Sequence, residues 1–328
     1  MKAVIATKYG PPEVLQLREV PKPKPKGKEV LIKIHAATVT AGDCELRSFK
    51  VPLFLWIPLR LVMGVFKPRK KILGQELAGT IEAVGGKVTR FKKGDRVVAP
   101  TMMRMGAYAE YISLPESYPI LHIPEEMDFD VAATIPTGGI NGLHFIKMVN
   151  IKPGERVLIN GAGGSIGTYG VQMAKSYGAE VIAVDSGNKL EMLSMLGADQ
   201  VIDYQKEDFT QNGQTYDVII DIVGKSSFSR CLKILNPNGR YFLGNPTLTD
   251  MIRGAWTSRK TDKEVLFKFA GYKMENMAFL RDSIQSGRLK AVIDRYYPLE
   301  KLAEAHDYVE RGFKKGNVII TIAETVHT

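Results

Sequence analysis

The stretch Val157-Leu158-Ile159-Asn160-Gly161-Ala162-Gly163-Gly164-Ser165-Ile166-Gly167 constrains this chain more than any other. A short apolar run leads into four glycines within seven residues, and then into residues 166–177, where Ile166, Gly170, Met173, Ala174 and Tyr177 recur at helical spacing. A strand that turns sharply into a helix needs glycine, because only glycine takes the turn freely and lets backbone approach a ligand or a neighbouring strand closely. The helix start then offers backbone N–H groups and a partial positive charge, which suits a pyrophosphate. The strict GxGxxG spacing fails, since Ile166 fills the third glycine position and residues 164–167 supply the close turn instead. Context restores the reading: strand, turn and helix together predict dinucleotide binding by Gly161, Ala162, Gly163, Gly164, Ser165, Ile166 and Gly167.

The rest of the chain falls into two rhythms. Before residue 125, short strand-like runs are separated by turn signals: Val30-Leu31-Ile32-Lys33-Ile34, Gly79-Thr80-Ile81-Glu82-Ala83-Val84, Arg96-Val97-Val98-Ala99 and Ala107-Tyr108-Ala109-Glu110-Tyr111-Ile112. These predict a mainly β domain. From about residue 156, strand runs at 157–159, 181–184, 201–202, 218–223, 241–243 and 265–269 alternate with helix-length segments, which predicts a doubly wound parallel sheet of six strands. A helix over 274–286, a strand at 292–298, a helix over 302–310 and a strand at 318–322 follow. That tail is too small for a core of its own and is expected to complete the first domain. The expected division is 1–125 with 273–328, and 126–272, in keeping with a length of 328 residues, beyond what one core usually serves.

The end of the second strand of the nucleotide sheet sets preference at the adenine ribose, and its signals conflict. Asp185 follows Gly164 by 21 residues, where a carboxylate accepts from a ribose 2′-hydroxyl and repels a 2′-phosphate. Ser186 and Lys189 are suited to hold that phosphate, and each also fits the start of the next helix. NAD and NADP both stay open.

The charge of +10 raises the question of an anionic partner, yet the lysines and arginines are spread along the chain, and nucleic acid is disfavoured. The run Pro21-Lys22-Pro23-Lys24-Pro25-Lys26 reads as an extended solvated connector. Cys44 and Cys231 are too few for a disulfide framework or a cysteine zinc site. The first residues hold too short an apolar stretch for a secretory signal, so a cytoplasmic protein is expected. Residues 51–66 are strongly apolar and run into Lys67, Arg69, Lys70 and Lys71. Pro52, Pro58 and Arg60 interrupt them, and they fall short of the roughly 20 residues of a transmembrane helix. Residues 51–71 are therefore expected to form a lid over a substrate or a subunit contact, with a weak membrane-surface contact as the alternative.

Taken with residues 161–167, the stretches at 9–15, 74–79, 106–111, 196–204 and 297–306 resemble the medium-chain dehydrogenase/reductase superfamily, in particular its zinc-independent quinone oxidoreductase branch. The resemblance spans nearly the whole chain and implies a GroES-like catalytic domain beside a Rossmann domain, a small-molecule substrate, a homodimer, and hydride transfer from NAD(P)H to a quinone, enone or related electrophilic carbonyl compound. It also implies site residues. Thr40 and Asp43 would lie at the nicotinamide end, Thr40 replacing the family's asparagine, although Asp43 also fits a helix cap. Asn141, which stands where the family has a threonine, would approach the cofactor phosphate or the nicotinamide, Gly244 and Asn245 would lie near the ring, and Tyr204, Val223 and Gly224 would border the adenosine. Asn317 replaces a lysine of the family before the last strand.

The zinc enzymes of this superfamily place a cysteine where Thr40 stands and a histidine where Gln75 stands. Hydroxyl and amide groups are poor zinc ligands, so no metal is expected. His35, His122, His144, His306 and His327 are isolated, and no nucleophile or acid–base pair is evident. Two other readings remain open: an alcohol dehydrogenase or carbonyl reductase, and a cofactor-binding regulator or nucleic-acid binder with little turnover.

Overall fold

The computed structural model describes residues 1–322, with only the backbone at Leu53; His327 lies outside the described residues. Two compact units emerge: Met1–Thr137 with Tyr272–Arg288 and residues 293–322, and Gly138–Gly271 with Leu289–Val292. The first unit thus reaches past residue 125. The helix Phe129–Ala133 packs on the first unit's strands, Phe129 stacking on His35 with ring centroids 4.3 Å apart.

In the second unit six parallel strands lie in the spatial order Gln200–Asp203, Glu180–Asp185, Arg156–Asn160, Tyr216–Asp221, Leu235–Leu243 and Glu264–Leu266. Numbered by their order along the chain, that is 3-2-1-4-5-6, the doubly wound arrangement the sequence predicts. Val157, Leu158, Ile159, Val181, Ile182 and Ala183 are wholly buried, as expected of strands covered by helices on both faces. The glycine-rich turn leaves the central strand at Asn160 and enters the helix Ser165–Ser176. The last strand stops at Leu266, short of the expected 269, and Phe269 is largely exposed.

The first unit is built on a mostly antiparallel sheet. Its long strand Glu29–Thr38 pairs with Glu76–Val84, with Tyr111–Pro115 and with Asn317–Thr321, and the last of these pairs in parallel with Ile293–Pro298. The tail joins the first unit through the helix Leu302–Glu310 and the strand after it. One strand is displaced from its expected place. Residues 107–110 form no regular strand: Gly106, in the left-handed region at φ 112°, and Tyr108 both donate their N–H to the Leu73 carbonyl, so two loops hold each other and the ladder begins only at Tyr111. The apolar segment forms the helix Leu53–Met63, containing Pro58. Among the described residues no helix is long and apolar enough to cross a membrane.

Candidate active site

The glycines of the turn are held by contacts that a side chain would break. Gly161 sits at φ 83°, and a Cβ there would stand 2.6 Å from the Val223 methyl. At Gly167 a Cβ would meet the backbone oxygens of Gly161 and Ala162 at 2.4 and 2.5 Å, so the first helical turn lies directly on the loop. Gly161 and Ala162 donate to the Val184 carbonyl, fastening the loop to the neighbouring strand. Gly164 is the N-cap of the helix and makes no side-chain cap bond, and Ser165 and Ile166 open the first turn. The end of the helix is thus built from backbone, the arrangement that receives a phosphate.

Around this turn the structure gathers other expected residues at the carboxyl ends of the strands. Gly224, at φ 69°, donates its N–H to Asp221 Oδ1 at 3.0 Å, and a Cβ on it would meet the Asn245 carbonyl at 2.6 Å. Gly244 donates to the Asp221 carbonyl at 2.8 Å. Val223, Tyr204 and Asn245 are exposed, and the Tyr204 N–H donates to the Asp185 carbonyl at 3.2 Å. Asn141 lies in the helix Ile140–Val149, whose Gly142 packs against Ile166 and Tyr169.

The ribose-selecting residues are joined rather than opposed. Asp185 and Lys189 are both buried and form an ion pair of 2.9 Å. The second carboxylate oxygen accepts the Gly163 N–H at 2.8 Å, while the first also accepts the Ser186 N–H at 2.8 Å. The Lys189 side chain crosses so close to Gly163 that a Cβ there would lie 2.5 Å from its Cδ. Asp185 thus braces the glycine turn from below, and its charge is already answered by Lys189.

In the first unit, Thr40 and Asp43 form a capping box at the start of the helix Ala41–Ser48. Asp43 Oδ2 accepts the Thr40 hydroxyl at 2.7 Å and its N–H at 3.0 Å, and Asp43 N–H returns to the hydroxyl at 3.1 Å. Burial raises the Asp43 pKa, opposed by Thr40 and by the neighbouring Tyr108 and Gln75, both outside hydrogen-bonding geometry of Oδ1. Asn317 is buried at the start of the last strand.

Close to this cap in the same unit lies a group that the sequence reading passed over. Glu76 is wholly buried; one carboxyl oxygen accepts the Thr38 hydroxyl and the other the Thr137 N–H at 2.6 Å. Burial pushes its pKa up to about 7, the Thr38 and Thr137 bonds pull it down, and Asp43 adds to the rise. Tyr272 is coupled to it: burial first, then the charge of Glu76, pushes that phenol up to about 12. A carboxyl titrating near neutrality is poised to accept or release a proton. The only sequence signal was an acidic residue opening the strand, directly before Leu77 and Ala78.

The histidines stay apart. His306 is buried with Nδ1 3.4 Å from Cys44 Sγ, and burial drives its pKa down to about 3. His35 lies 3.2 Å from the Thr80 hydroxyl and falls to about 4, chiefly through burial. His144 meets the Lys268 carbonyl and His122 faces Asp95 at 3.9 Å. Among the described residues no three His, Cys, Asp or Glu side chains converge as metal ligands. At the expected metal position the donors are the Thr40 hydroxyl, already bonded to Asp43, and the Gln75 amide, a set that does not fit zinc.

A parallel sheet ordered 3-2-1-4-5-6 with a glycine turn at its central strand defines a dinucleotide-binding unit, here joined to a β unit built from both flanks of the chain. Residues 26–125 match the family described as alcohol dehydrogenase GroES-like domain, and residues 196–320 the family described as zinc-binding dehydrogenase. The chain is 31% identical to a quinone oxidoreductase of Homo sapiens, covering 95% of this chain and 94% of that one. It is also 31% identical to a 2-methylene-furan-3-one reductase of Solanum lycopersicum, over 98% of this chain and 79% of the other. Among solved structures, the quinone oxidoreductase of Coxiella burnetii superposes with a TM-score of 0.88 at 27% identity, covering 98% and 99% of the two chains. The Escherichia coli quinone oxidoreductase complexed with NADPH gives 0.81 at 25%, covering 98% and 100%. The chain belongs to the medium-chain dehydrogenase/reductase superfamily, as an oxidoreductase of its quinone oxidoreductase branch.

Proposed function

We propose that this protein transfers hydride from NAD(P)H to a quinone, enone or related electrophilic carbonyl compound without zinc. The observation that carries this reading is the glycine turn, built wholly from backbone at the central strand and braced by Asp185. Residues 161–167 would cradle the pyrophosphate against the start of the helix Ser165–Ser176. Asp185, Ser186 and Lys189 would face the adenine ribose, with Tyr204, Val223 and Gly224 beside the adenosine. Asn141, Gly244, Asn245, Thr40, Asp43 and Asn317 would serve the nicotinamide end. When bound, the dinucleotide supplies the hydride, and the protein's part is to orient donor and acceptor and to keep water away. With the hydroxyl of Thr40 and the amide of Gln75 where the zinc enzymes hold their ligands, the site suits acceptors in which negative charge delocalises after hydride arrives. A cytoplasmic homodimer belongs to the same proposal.

The test offers NADH and NADPH separately, in chelator, with a panel of quinones, enones and saturated ketones. Quinone or enone reduction at a rate indifferent to chelator is expected. Turnover confined to saturated ketones, or cofactor binding without turnover on the whole panel, refutes the reading.

A further inference from the structure

One stretch of this chain carries cations with no carboxylate among them. Residues 46–75, from just after Glu45 to just before Glu76, hold seven Lys and Arg and no Asp or Glu, against a net charge of +10 for the whole chain. The same span contains the apolar helix Leu53–Met63.

That helix is clasped on one side. Met63 is buried, and the Tyr9 hydroxyl donates to the Gly64 carbonyl at 2.9 Å. The Arg60 guanidinium lies over the rings of Tyr9, Phe49 and Trp56 at 4.3, 3.9 and 5.0 Å and donates to the Val65 carbonyl at 2.8 Å. The clasp fixes the helix and the turn after it, and it leaves the other side bare. Ile57, Leu61 and Val62 are 65%, 61% and 59% exposed, and Phe66 is 92% exposed. Lys67, Arg69, Lys70 and Lys71 follow directly, all exposed.

We propose that residues 53–71 dock the protein on the surface of an anionic lipid bilayer. Ile57, Leu61, Val62 and Phe66 enter the boundary between headgroups and acyl chains, to a depth of roughly 5–10 Å, while the four cations meet anionic headgroups. Trp56, 41% exposed, has the amphipathic ring favoured at that level. Charge complementarity chooses the occupant. In a two-fold dimer the same patch faces its own copy, which would press cations with no intervening carboxylate against one another. Nucleic acid would satisfy the cations and could stack on Phe66, but it would leave the aliphatic Ile57, Leu61 and Val62 without a partner. A bilayer with anionic lipid satisfies both halves of the patch.

The experiment is flotation of the full chain with phosphatidylcholine vesicles, with or without phosphatidylglycerol, across a salt series. Binding to the anionic vesicles alone, weakening with salt, is expected. Leu61→Ser with Phe66→Ser lowers partitioning about tenfold or more. Lys67→Glu, Lys70→Glu and Lys71→Glu together abolish it, whereas Lys22→Glu with Lys24→Glu, in the exposed proline-lysine run, does not. All these side chains are exposed, and unchanged melting temperatures confirm that the variants fold. Because Trp56 and Trp256 are the only tryptophans, Trp256→Phe makes Trp56 the sole reporter, and its emission shifts to the blue on anionic vesicles. No flotation at low salt, flotation unaffected by the apolar substitutions, or sedimentation showing that they instead split a dimer would each overturn the proposal. So would duplex DNA bound more tightly than the vesicles, with Phe66 dispensable.

Discussion

Replacing Glu76 with glutamine removes the ionisable group from the buried cluster while keeping its shape and an acceptor oxygen for the Thr137 N–H. Burial lifts this carboxyl from the ordinary 4.5 to about 7, so between those values the folded protein holds a proton that the unfolded chain has released. Stability therefore falls as pH rises through that window. Each tenfold change in proton affinity corresponds to about 1.4 kcal/mol, so the full penalty, present above about pH 7 and absent below about pH 4.5, is about 3 kcal/mol. Because the group is wholly buried, solvent screening does not erode that figure much. The assay is urea unfolding of wild type and Glu76→Gln at pH 5 and pH 8, all other groups being common to both proteins. The variant should gain about 2–3 kcal/mol on wild type between the two conditions. A stability gap that stays constant with pH, or that moves toward wild type as pH rises, refutes the account of Glu76 as a carboxyl held neutral by burial.

Other consequences follow from the same geometry. Gly167→Ala drives a methyl into two backbone oxygens, so NAD(P)H affinity, measured by fluorescence titration, should fall more than about tenfold. Lys189→Met strands a buried carboxylate and should cost about 3–5 kcal/mol in urea unfolding, most of it recovered in the double variant with Asp185→Asn. Asp185→Ser frees Lys189 for a 2′-phosphate and should move the ratio of kcat/KM for NADPH over NADH upward by about tenfold, and an unchanged ratio counts against a role for this pair in selection. Burial pushes Cys231 up to about 12 and raises Cys44 further, so iodoacetamide should label neither thiol in the folded protein at pH 8 and both in denaturant.

Local features were legible in the sequence, and features assembled from afar were not. The six strands and the helix after the glycine turn could be read because apolar runs and helical spacing are properties of neighbouring residues. The run at 107–112 misled for the opposite reason: its alternation is real, but Ala107 lies against the loop at Gly74 and Ala109 meets the strand Lys2–Ala6 only through an isolated bridge to Ala3. Asp185 and Lys189 gave conflicting signals read singly, since nothing in their spacing showed that each neutralises the other beneath Gly163. Glu76 was invisible as a titrating group because its partners, Thr38 and Thr137, lie 38 and 61 residues away along the chain.

The interrupted course of the first unit dictates an order of assembly during synthesis. Its central strand Glu29–Thr38 leaves the ribosome early, yet the strand that covers its end at Ala36–Thr38, Asn317–Thr321, is translated only after the entire second unit. Residues 138–271 form a nearly continuous unit and have most of their strands in hand first. Until residues 317–321 emerge, the end of the early strand at Ala36–Thr38 lacks its partner there, an opening of the kind that invites wrong pairing between chains. Slow translation or crowded nascent chains should therefore harm this protein through its first 137 residues, while the nucleotide-binding half folds on schedule.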